Sequence, residues 1–195
     1  MRFGIDVSEH QDGLSLVRAA DEGVEFVVIR TSDGTYRDRV FASHLADAHL
    51  ANLQVEAYHF LRSPAEGTSI AQQVEAACEV LGLADVALWL DCETPAGLSL
   101  SDVHLAHALF TSRGVCVKGI YTYPRWWRWH MWGADTRPFG KLWLADFGSD
   151  PPGAPREIFP GGWPQSVGKQ VPSMWQFSSK VQVAGFSVDA NARRD

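Results

Sequence analysis

The stretch Val86-Ala87-Leu88-Trp89-Leu90-Asp91-Cys92-Glu93 is an unbroken apolar run that ends in two acids separated by one residue. Strands that are apolar on both faces are typical of parallel sheets covered by helices. In barrels built from such strands, polar groups at the carboxyl ends of the strands meet at one mouth. The stretch therefore predicts a buried parallel strand with a polar site at its end.

Seven further apolar runs are predicted strands, and helix-period segments follow the earlier ones. These strands are residues 3–7, 26–30, 55–60, 117–122, 142–146, 174–177 and 186–189. We expect Asp12 to cap a short first helix that ends near Glu22, and Ile70 and Leu81 bound a clearly amphipathic helix. The segment 148–172, rich in proline and glycine, is predicted to be a loop. No helical period separates the last two strands.

Eight strands with helices after about the first five predict an α/β fold, an irregular TIM-like barrel of the (β/α)5(β)3 type. A standard barrel takes about 250 residues, with about 200 as the lower bound. The 195 residues of this chain fit if the last helices are missing. The alternative is an open doubly wound sheet, but no glycine-rich phosphate loop follows the first strand. No internal repeat or linker interrupts residues 1–195, which we interpret as a single domain.

The composition argues against several classes of protein. Hydrophobic residues make up 46% and charged residues 21%, as in soluble globular domains. No apolar run approaches the roughly 20 residues that span a bilayer, so we expect no membrane insertion. The net charge of −6, without a basic run, argues against a nucleic-acid partner. The cysteines and histidines lack metal-ligand spacing, so we expect no metal and no cofactor. We expect a monomer.

The pair Asp91 and Glu93 carries the strongest chemical signal. Side chains two apart on a strand share a face, with Cα atoms roughly 6.5 Å apart. Two carboxyl groups at that spacing in a partly desolvated mouth repel each other, so one tends to keep its proton at neutral pH. Glycoside cleavage needs such an acid beside the scissile oxygen. We assign Glu93, nearer the rim, as the general acid and expect the deeper Asp91 to stay ionised. The alternative is a solvated turn, and the pattern alone is weak.

Other residues at strand ends complete the candidate site. Tyr121 and Tyr123 follow the fifth strand, and their rings suit the apolar faces of sugars. His59 is interpreted as a hydrogen-bonded wall residue. Cys92 should point to the opposite face from the acids, into the core.

Eight short segments, in order along the whole chain, resemble one known family. They are Gly4-Ile5-Asp6-Val7-Ser8, Phe26-Val27-Val28-Ile29-Arg30, Ala57-Tyr58-His59-Phe60, Leu88-Trp89-Leu90-Asp91-Cys92-Glu93, Gly119-Ile120-Tyr121-Thr122, Leu142-Trp143-Leu144-Ala145, Trp175-Gln176-Phe177 and Val188-Asp189. Together they resemble the glycoside hydrolase family 25 lysozymes, the Chalaropsis-type muramidases of phage endolysins, bacteria and fungi. Each segment alone is a modest match.

The resemblance implies hydrolysis of the β-1,4 bond between N-acetylmuramic acid and N-acetylglucosamine in bacterial peptidoglycan. It implies Glu93 as general acid, Asp91 as its paired aspartate, and Asp6 and Asp189 as further acids of the groove. It implies that four other residues line the site: Tyr58, Tyr121, Trp143 and Gln176. One departure concerns the second strand, which in the family usually ends Lys-x-x-Glu-Gly. Here Asp33 replaces the glutamate with a shorter reach, as a candidate substrate-binding residue.

Several alternatives stay open at this point. Asp91 could orient the 2-acetamido oxygen of the substrate as nucleophile, which gives retention, or Asp6 or Asp189 could activate water for inversion. A barrel that binds cell-wall glycan without cutting it, as in a virion structural protein, and a chitinase-like enzyme are the competing functions. The N-terminus lacks a signal-peptide pattern. This fits a phage endolysin made in the host cytoplasm that acts on the cell wall, or a domain cut from a longer chain.

Overall fold

Nine strands lie in one sheet in the computed structural model, which describes residues 1–194. They are β1 (Arg2–Val7), β2 (Phe26–Asp33), β3 (Tyr36–Arg37), β4 (Gln54–Phe60), β5 (Leu88–Asp91), β6 (Val117–Thr122), β7 (Lys141–Ala145), β8 (Met174–Val183) and β9 (Phe186–Arg193). The order β1-β9-β8-β7-β6-β5-β4-β2, with β1 also paired to β2, closes eight of them into a barrel. Neighbouring strands of the barrel are parallel, except that β9 is antiparallel to both β8 and β1. The ninth strand, β3, lies outside the barrel and is antiparallel to β2. The predicted eight-stranded α/β barrel is confirmed.

Six α-helices lie between the strands. They are α1 (Leu16–Asp21), α2 (Phe41–Leu50), α3 (Ile70–Leu81), α4 (Leu100–Ser112), α5 (Pro124–His130) and α6 (Pro155–Ile158). The amphipathic helix predicted over 70–81 is confirmed as α3. It begins after Ser69, whose hydroxyl accepts a hydrogen bond from the backbone N–H of Gln72 and satisfies one of the free donors of the first turn. Each of α1 to α5 connects one parallel barrel strand to the next, so the carboxyl ends of these strands share one mouth.

The structure departs from the sequence-based expectation in three places. Asp12 does not cap the first helix. It ends a one-turn 3-10 helix over Glu9–Gln11, and Ser15 caps α1 instead. The short strand β3, which pairs only with the end of β2, was not predicted. The one-turn helix α6 lies inside the predicted 148–172 loop, so the pattern is not a strict series of five βα units and three bare strands.

Packing is divided between the barrel interior and the layer under the helices. Large aromatic side chains fill the interior, where Trp89 and Trp143 are each 1% exposed and contact each other edge to face at 5.8 Å. The buried Glu56 carboxylate lies below them. It accepts hydrogen bonds from Nε1 of Trp89 and from the cations Lys118 and Arg193. These side chains fill the barrel interior at the end opposite the carboxyl ends of the parallel strands.

None of the helices within residues 1–194 is both long enough and apolar enough to cross a bilayer.

Candidate active site

A cavity of about 210 Å³ opens at the carboxyl ends of the parallel strands. All four predicted acids line this cavity: Asp6, Asp91, Glu93 and Asp189. Four of the predicted substrate-binding residues line it as well: Tyr58, Tyr121, Trp143 and Gln176. The structure thus brings together eight side chains, seven from seven different strands and Glu93 from the segment that follows β5.

Asp6 and Asp189 face each other across the β1–β9 pair, where their Cα atoms are in register. Nε2 of Gln176 donates to Oδ2 of Asp6 at 2.9 Å and to Oδ2 of Asp189 at 3.2 Å. Asn191, two residues after Asp189 on the same strand, donates a further hydrogen bond to Oδ2 of Asp6 at 2.7 Å. Burial raises the pKa of Asp6 to about 6, against the lowering effect of these amide donors. Burial and the charge of Asp6 raise the pKa of Asp189 to about 8.

Asp91 lies deeper, at the last position of β5, and is 4% exposed. Its Oδ1 atom has no hydrogen-bond partner within residues 1–194, which is uncommon for a buried polar atom. Burial, followed by the charges of Glu93 and Asp6, raises the pKa of Asp91 well above its usual range, and the charge of Arg30 opposes this shift. A buried, unpartnered oxygen facing a cavity is available to a donor on a bound molecule.

Glu93 follows β5 at the rim and is held by its neighbours on both sides. Oγ1 of Thr122 donates to the carbonyl oxygen of Cys92 at 2.9 Å. Nε1 of Trp126 donates to the carbonyl oxygen of Thr94, also at 2.9 Å. Burial and the charge of Asp189 raise the pKa of Glu93 from 4.5 to about 7. Its side chain therefore retains a proton near neutral pH, as a general acid requires.

The four acids cannot all be ionised in one small cavity, and the structure alters the predicted division of charge among them. Asp91 was expected to stay ionised, but its raised pKa shows that its deep site disfavours the charged form. The reason is desolvation. The spacing of Asp91 and Glu93 in the sequence does not reveal how deeply the Asp91 carboxyl group is buried, or that one of its oxygens lacks a hydrogen-bond partner. Arg30, which also lines the cavity, opposes the rise in the pKa of Asp91 through its positive charge, although Asp38 and Glu9 already accept hydrogen bonds from it.

Aromatic rings form one wall of the cavity. Trp143 contacts Tyr58 at 6.2 Å and Tyr121 at 4.6 Å between ring centroids. Its Nε1 donates to Asn191 at 2.7 Å, and the Tyr121 hydroxyl donates to Oε1 of Gln176 at 2.8 Å. These bonds join the aromatic wall to the amides that hold Asp6 and Asp189, so the wall and the acids form one rigid network.

Two predicted site residues lie outside this cavity. Tyr123 lines a neighbouring groove of about 500 Å³, which we call the side groove and which shares Glu93 and Tyr121 with the cavity. Asp33 does not line the cavity, because both of its carboxylate oxygens accept hydrogen bonds from Arg62, at 2.5 and 2.7 Å. The geometry therefore gives Asp33 a partner within the protein in place of the predicted contact with substrate.

Sequence reasoning missed Arg30 and Asn191 as site residues. Asn191 shares a face with Asp189 because they are two apart on β9, and this spacing was the signal that could have identified it. The prediction for Cys92 is confirmed, because it is fully buried in the layer under the helices. His59 is hydrogen-bonded as predicted, to Oγ of Ser32 at 2.8 Å, but it is fully buried away from the cavity and is not a wall residue. Within residues 1–194, no group of three or more His, Cys, Asp or Glu side chains is arranged to hold a metal ion.

Comparisons with known proteins agree with this geometry. Residues 5–186 match the sequence model of glycosyl hydrolases family 25. The chain is 27% identical to lysozyme M1 of Streptomyces globisporus, covering 98% of this chain and 66% of that protein. It is 29% identical to the autolytic lysozyme of Clostridium acetobutylicum, covering 76% of this chain and 46% of that protein. This chain thus corresponds to only part of each of these relatives. The solved structure of a family GH25 lysozyme from Aspergillus fumigatus is similar over the whole chain and 94% of its own, with 26% identity and a TM-score of 0.77.

Proposed function

The chain belongs to glycosyl hydrolases family 25, and on this basis we propose that it hydrolyses bacterial peptidoglycan as a muramidase. The bond cut is the β-1,4 linkage between N-acetylmuramic acid and N-acetylglucosamine. The observation that carries the proposal is the cluster of four carboxyl groups at one barrel mouth, two of them buried and two half-buried, among which Glu93 has a pKa of about 7. A group with a pKa near the working pH is about half protonated there, so a substantial fraction of the molecules can donate a proton.

In the proposed reaction, Glu93 transfers its proton to the leaving glycosidic oxygen as the bond to the anomeric carbon breaks. The electron pair of the breaking bond leaves with the glycosidic oxygen, while the 2-acetamido oxygen of the same sugar attacks the anomeric carbon from the opposite face and forms a bicyclic oxazolinium intermediate. Water then attacks the anomeric carbon and displaces the acetamido oxygen, which restores the acetamide, and Glu93, now ionised, takes a proton from the water, with overall retention of configuration. The acid is thereby regenerated, and the net reaction consumes one water for each bond that is cut.

Asp91 supports this substrate-assisted route over direct attack by water. Its unpartnered Oδ1 can accept the N–H of the acetamido group, which becomes more acidic as its oxygen attacks. The bound N–H supplies the hydrogen-bond donor that Oδ1 lacks in the unliganded cavity, which opposes the effect of burial and favours the ionised form of Asp91 that this role requires. By contrast, amides already bind Asp6 and Asp189. Asp6, whose pKa of about 6 leaves it mostly ionised at neutral pH, is better placed to stabilise the positive charge that develops nearby than to orient a water molecule. The Asp189 carboxyl group, with a pKa of about 8, keeps its proton and accepts its hydrogen bond from Gln176.

The decisive experiment digests purified peptidoglycan in water enriched in oxygen-18 and identifies the products by mass spectrometry. The proposal predicts new reducing ends on N-acetylmuramic acid, each with one heavy oxygen, and no products from the Glu93→Gln variant. New ends on N-acetylglucosamine would contradict the bond assignment. Cleavage of chitin but not of cell walls would favour a chitinase-like enzyme. Binding to walls without products would favour a glycan-binding or virion structural protein.

We further propose that residues 1–195 act as one catalytic domain, as a monomer, and that the protein is a phage endolysin made in the host cytoplasm. Light scattering during size-exclusion chromatography measures the mass in solution, which should be 21.5 kDa for a monomer. Expression in bacteria with and without a pore-forming phage protein tests the proposal that the protein is an endolysin. Lysis only in the presence of the pore supports it, and lysis that is independent of the pore contradicts it.

A further inference from the structure

Two tryptophans next to the proposed active site are exposed to solvent. Trp129, on α5, is 70% exposed, and Trp132, just past the end of α5, is 92% exposed. On the same helix, Trp126 and Trp127 are buried and anchor it to the barrel. Tryptophan is seldom exposed to this extent, and neighbouring exposed rings often mark a contact surface.

The backbone at Trp132 indicates that the fold does not require this side chain. Its φ of 53° lies in the left-handed region, which bulky residues adopt only at an energetic cost, and Gly133 follows with φ 68°. A glycine at position 132 would adopt this conformation without strain. A large ring held at a strained position with almost no packing contributes little to stability, so a role in binding accounts for it better.

Positive charge lies beside these rings. Arg125 and Arg128 are exposed on α5, and Arg125 precedes Arg128 by three residues and Trp129 by four, so it neighbours both on the helix surface. In the part of the chain that the structure describes, neither guanidinium contacts a carboxylate. We call these four residues the α5 patch: Arg125, Arg128, Trp129 and Trp132.

The α5 patch is continuous with the proposed catalytic cavity. The side groove runs from Glu93 and Tyr121 to Tyr123 and Arg125. A further hollow of about 360 Å³ shares Tyr123 and Arg125 with the side groove and continues to Trp129. An extended polymer can therefore pass from the general acid to the patch without leaving a groove.

We propose that the α5 patch binds the peptide-bearing glycan strand of peptidoglycan beyond the bond that is cut. Trp129 and Trp132 stack on sugar faces, and Arg125 and Arg128 pair with free carboxylates of the stem peptides. This inference rests on the proposed function. Because the groove continues into the cavity, an extended polymer that enters both fits it better than a membrane surface does. The net charge of −6 also opposes binding to an anionic lipid surface.

The test measures binding to purified peptidoglycan, freed of other wall polymers, by co-sedimentation in a Glu93→Gln background so that no cleavage interferes. The double variant Trp129→Ala with Trp132→Gly should bind at least about tenfold more weakly. Its melting temperature should stay close to that of the parent. The matched control is Leu83→Ala, which removes an exposed apolar side chain from the loop between α3 and β5. It should leave binding unchanged.

A second pair of measurements tests the role assigned to the charges. The double variant Arg125→Gln with Arg128→Gln should lose affinity for intact peptidoglycan but bind normally to glycan strands from which an amidase has removed the peptides. Equal affinity of the tryptophan variant and its parent for walls would overturn the inference. So would binding of the parent to phosphatidylglycerol vesicles that the tryptophan variant loses, because the patch would then be a membrane surface.

Failure of this inference can be told apart from failure of the proposed function. If the wild type releases no products but the tryptophan variant still binds walls more weakly, the cleavage proposal fails and the binding surface stands. If products appear and binding is unchanged in the tryptophan variant, only the α5 patch is refuted.

Discussion

Replacing Glu93 by glutamine should make the folded protein more stable at alkaline pH while it removes the proposed acid. Folding raises the pKa of this carboxyl group from 4.5 to about 7. The native state therefore binds its proton more tightly than the unfolded chain, so the group favours folding at low pH and this contribution is lost as pH rises through 7. Glutamine carries no charge at any pH, so the variant does not lose stability through ionisation at this position.

The size of the effect follows from the shift. A rise in pKa from 4.5 to about 7 corresponds to roughly 3 kcal/mol in the free energy of unfolding above pH 8. Relaxation of the site around the charge reduces the expected gain in stability of the variant to roughly 1–3 kcal/mol. At pH 4.5 the same substitution should change the free energy of unfolding by less than about 0.5 kcal/mol. The expected result is a variant that equals the wild type in acid and exceeds it in base.

Urea unfolding at pH 4.5 and pH 8.5 measures both values. Glu75→Gln, the same substitution at an exposed position of α3, is the matched control and should stay within about 0.5 kcal/mol of the wild type at both pH values. If Glu93→Gln is no more stable than the wild type at pH 8.5, or if its effect does not depend on pH, the carboxyl group does not hold a raised pKa and the reasoning fails.

Three other substitutions test how the site is held. Thr94→Val removes the hydroxyl that donates to Glu66 at 2.7 Å. The kcat on a soluble muropeptide should fall about fivefold with KM unchanged. An unchanged kcat would show that this hydrogen bond does not position Glu93. Asn191→Leu leaves Nε1 of Trp143 without its acceptor and should lower the free energy of unfolding by roughly 1–3 kcal/mol, whereas wild-type stability in urea would contradict the network. Gly119→Ala places a methyl group against the backbone of β7, and we expect a loss of at least about 2 kcal/mol by thermal unfolding; normal stability would show that the strands can separate locally.

Local patterns were enough to predict the barrel strands and the acids at their ends. Apolar runs bounded by polar residues identify buried parallel strands, and the barrel topology then brings the ends of distant strands to one mouth. Asp6 and Asp189 are 183 positions apart in the chain, yet both could be assigned to the site because each lies on a predicted strand.

Long-range partners and local capping could not be predicted in the same way. The ion pair between Arg62 and Asp33 joins residues 29 positions apart, and no periodic pattern specifies it. Ser15 rather than Asp12 caps α1, because Asp12 already ends the 3-10 helix over Glu9–Gln11. The protonation of Asp91 depends on how many donors reach its oxygens, which only the folded cavity determines.

The central claim is that Glu93 carries a proton at neutral pH in a cavity that binds peptidoglycan. Carbon-13 NMR of glutamate carboxyl groups, assigned by comparison with Glu93→Gln, measures this proton directly. The account predicts a titration near pH 7 that coincides with the loss of kcat/KM on peptidoglycan as pH rises. A titration at the ordinary value of 4.5, or activity that persists after Glu93 has ionised, would contradict it.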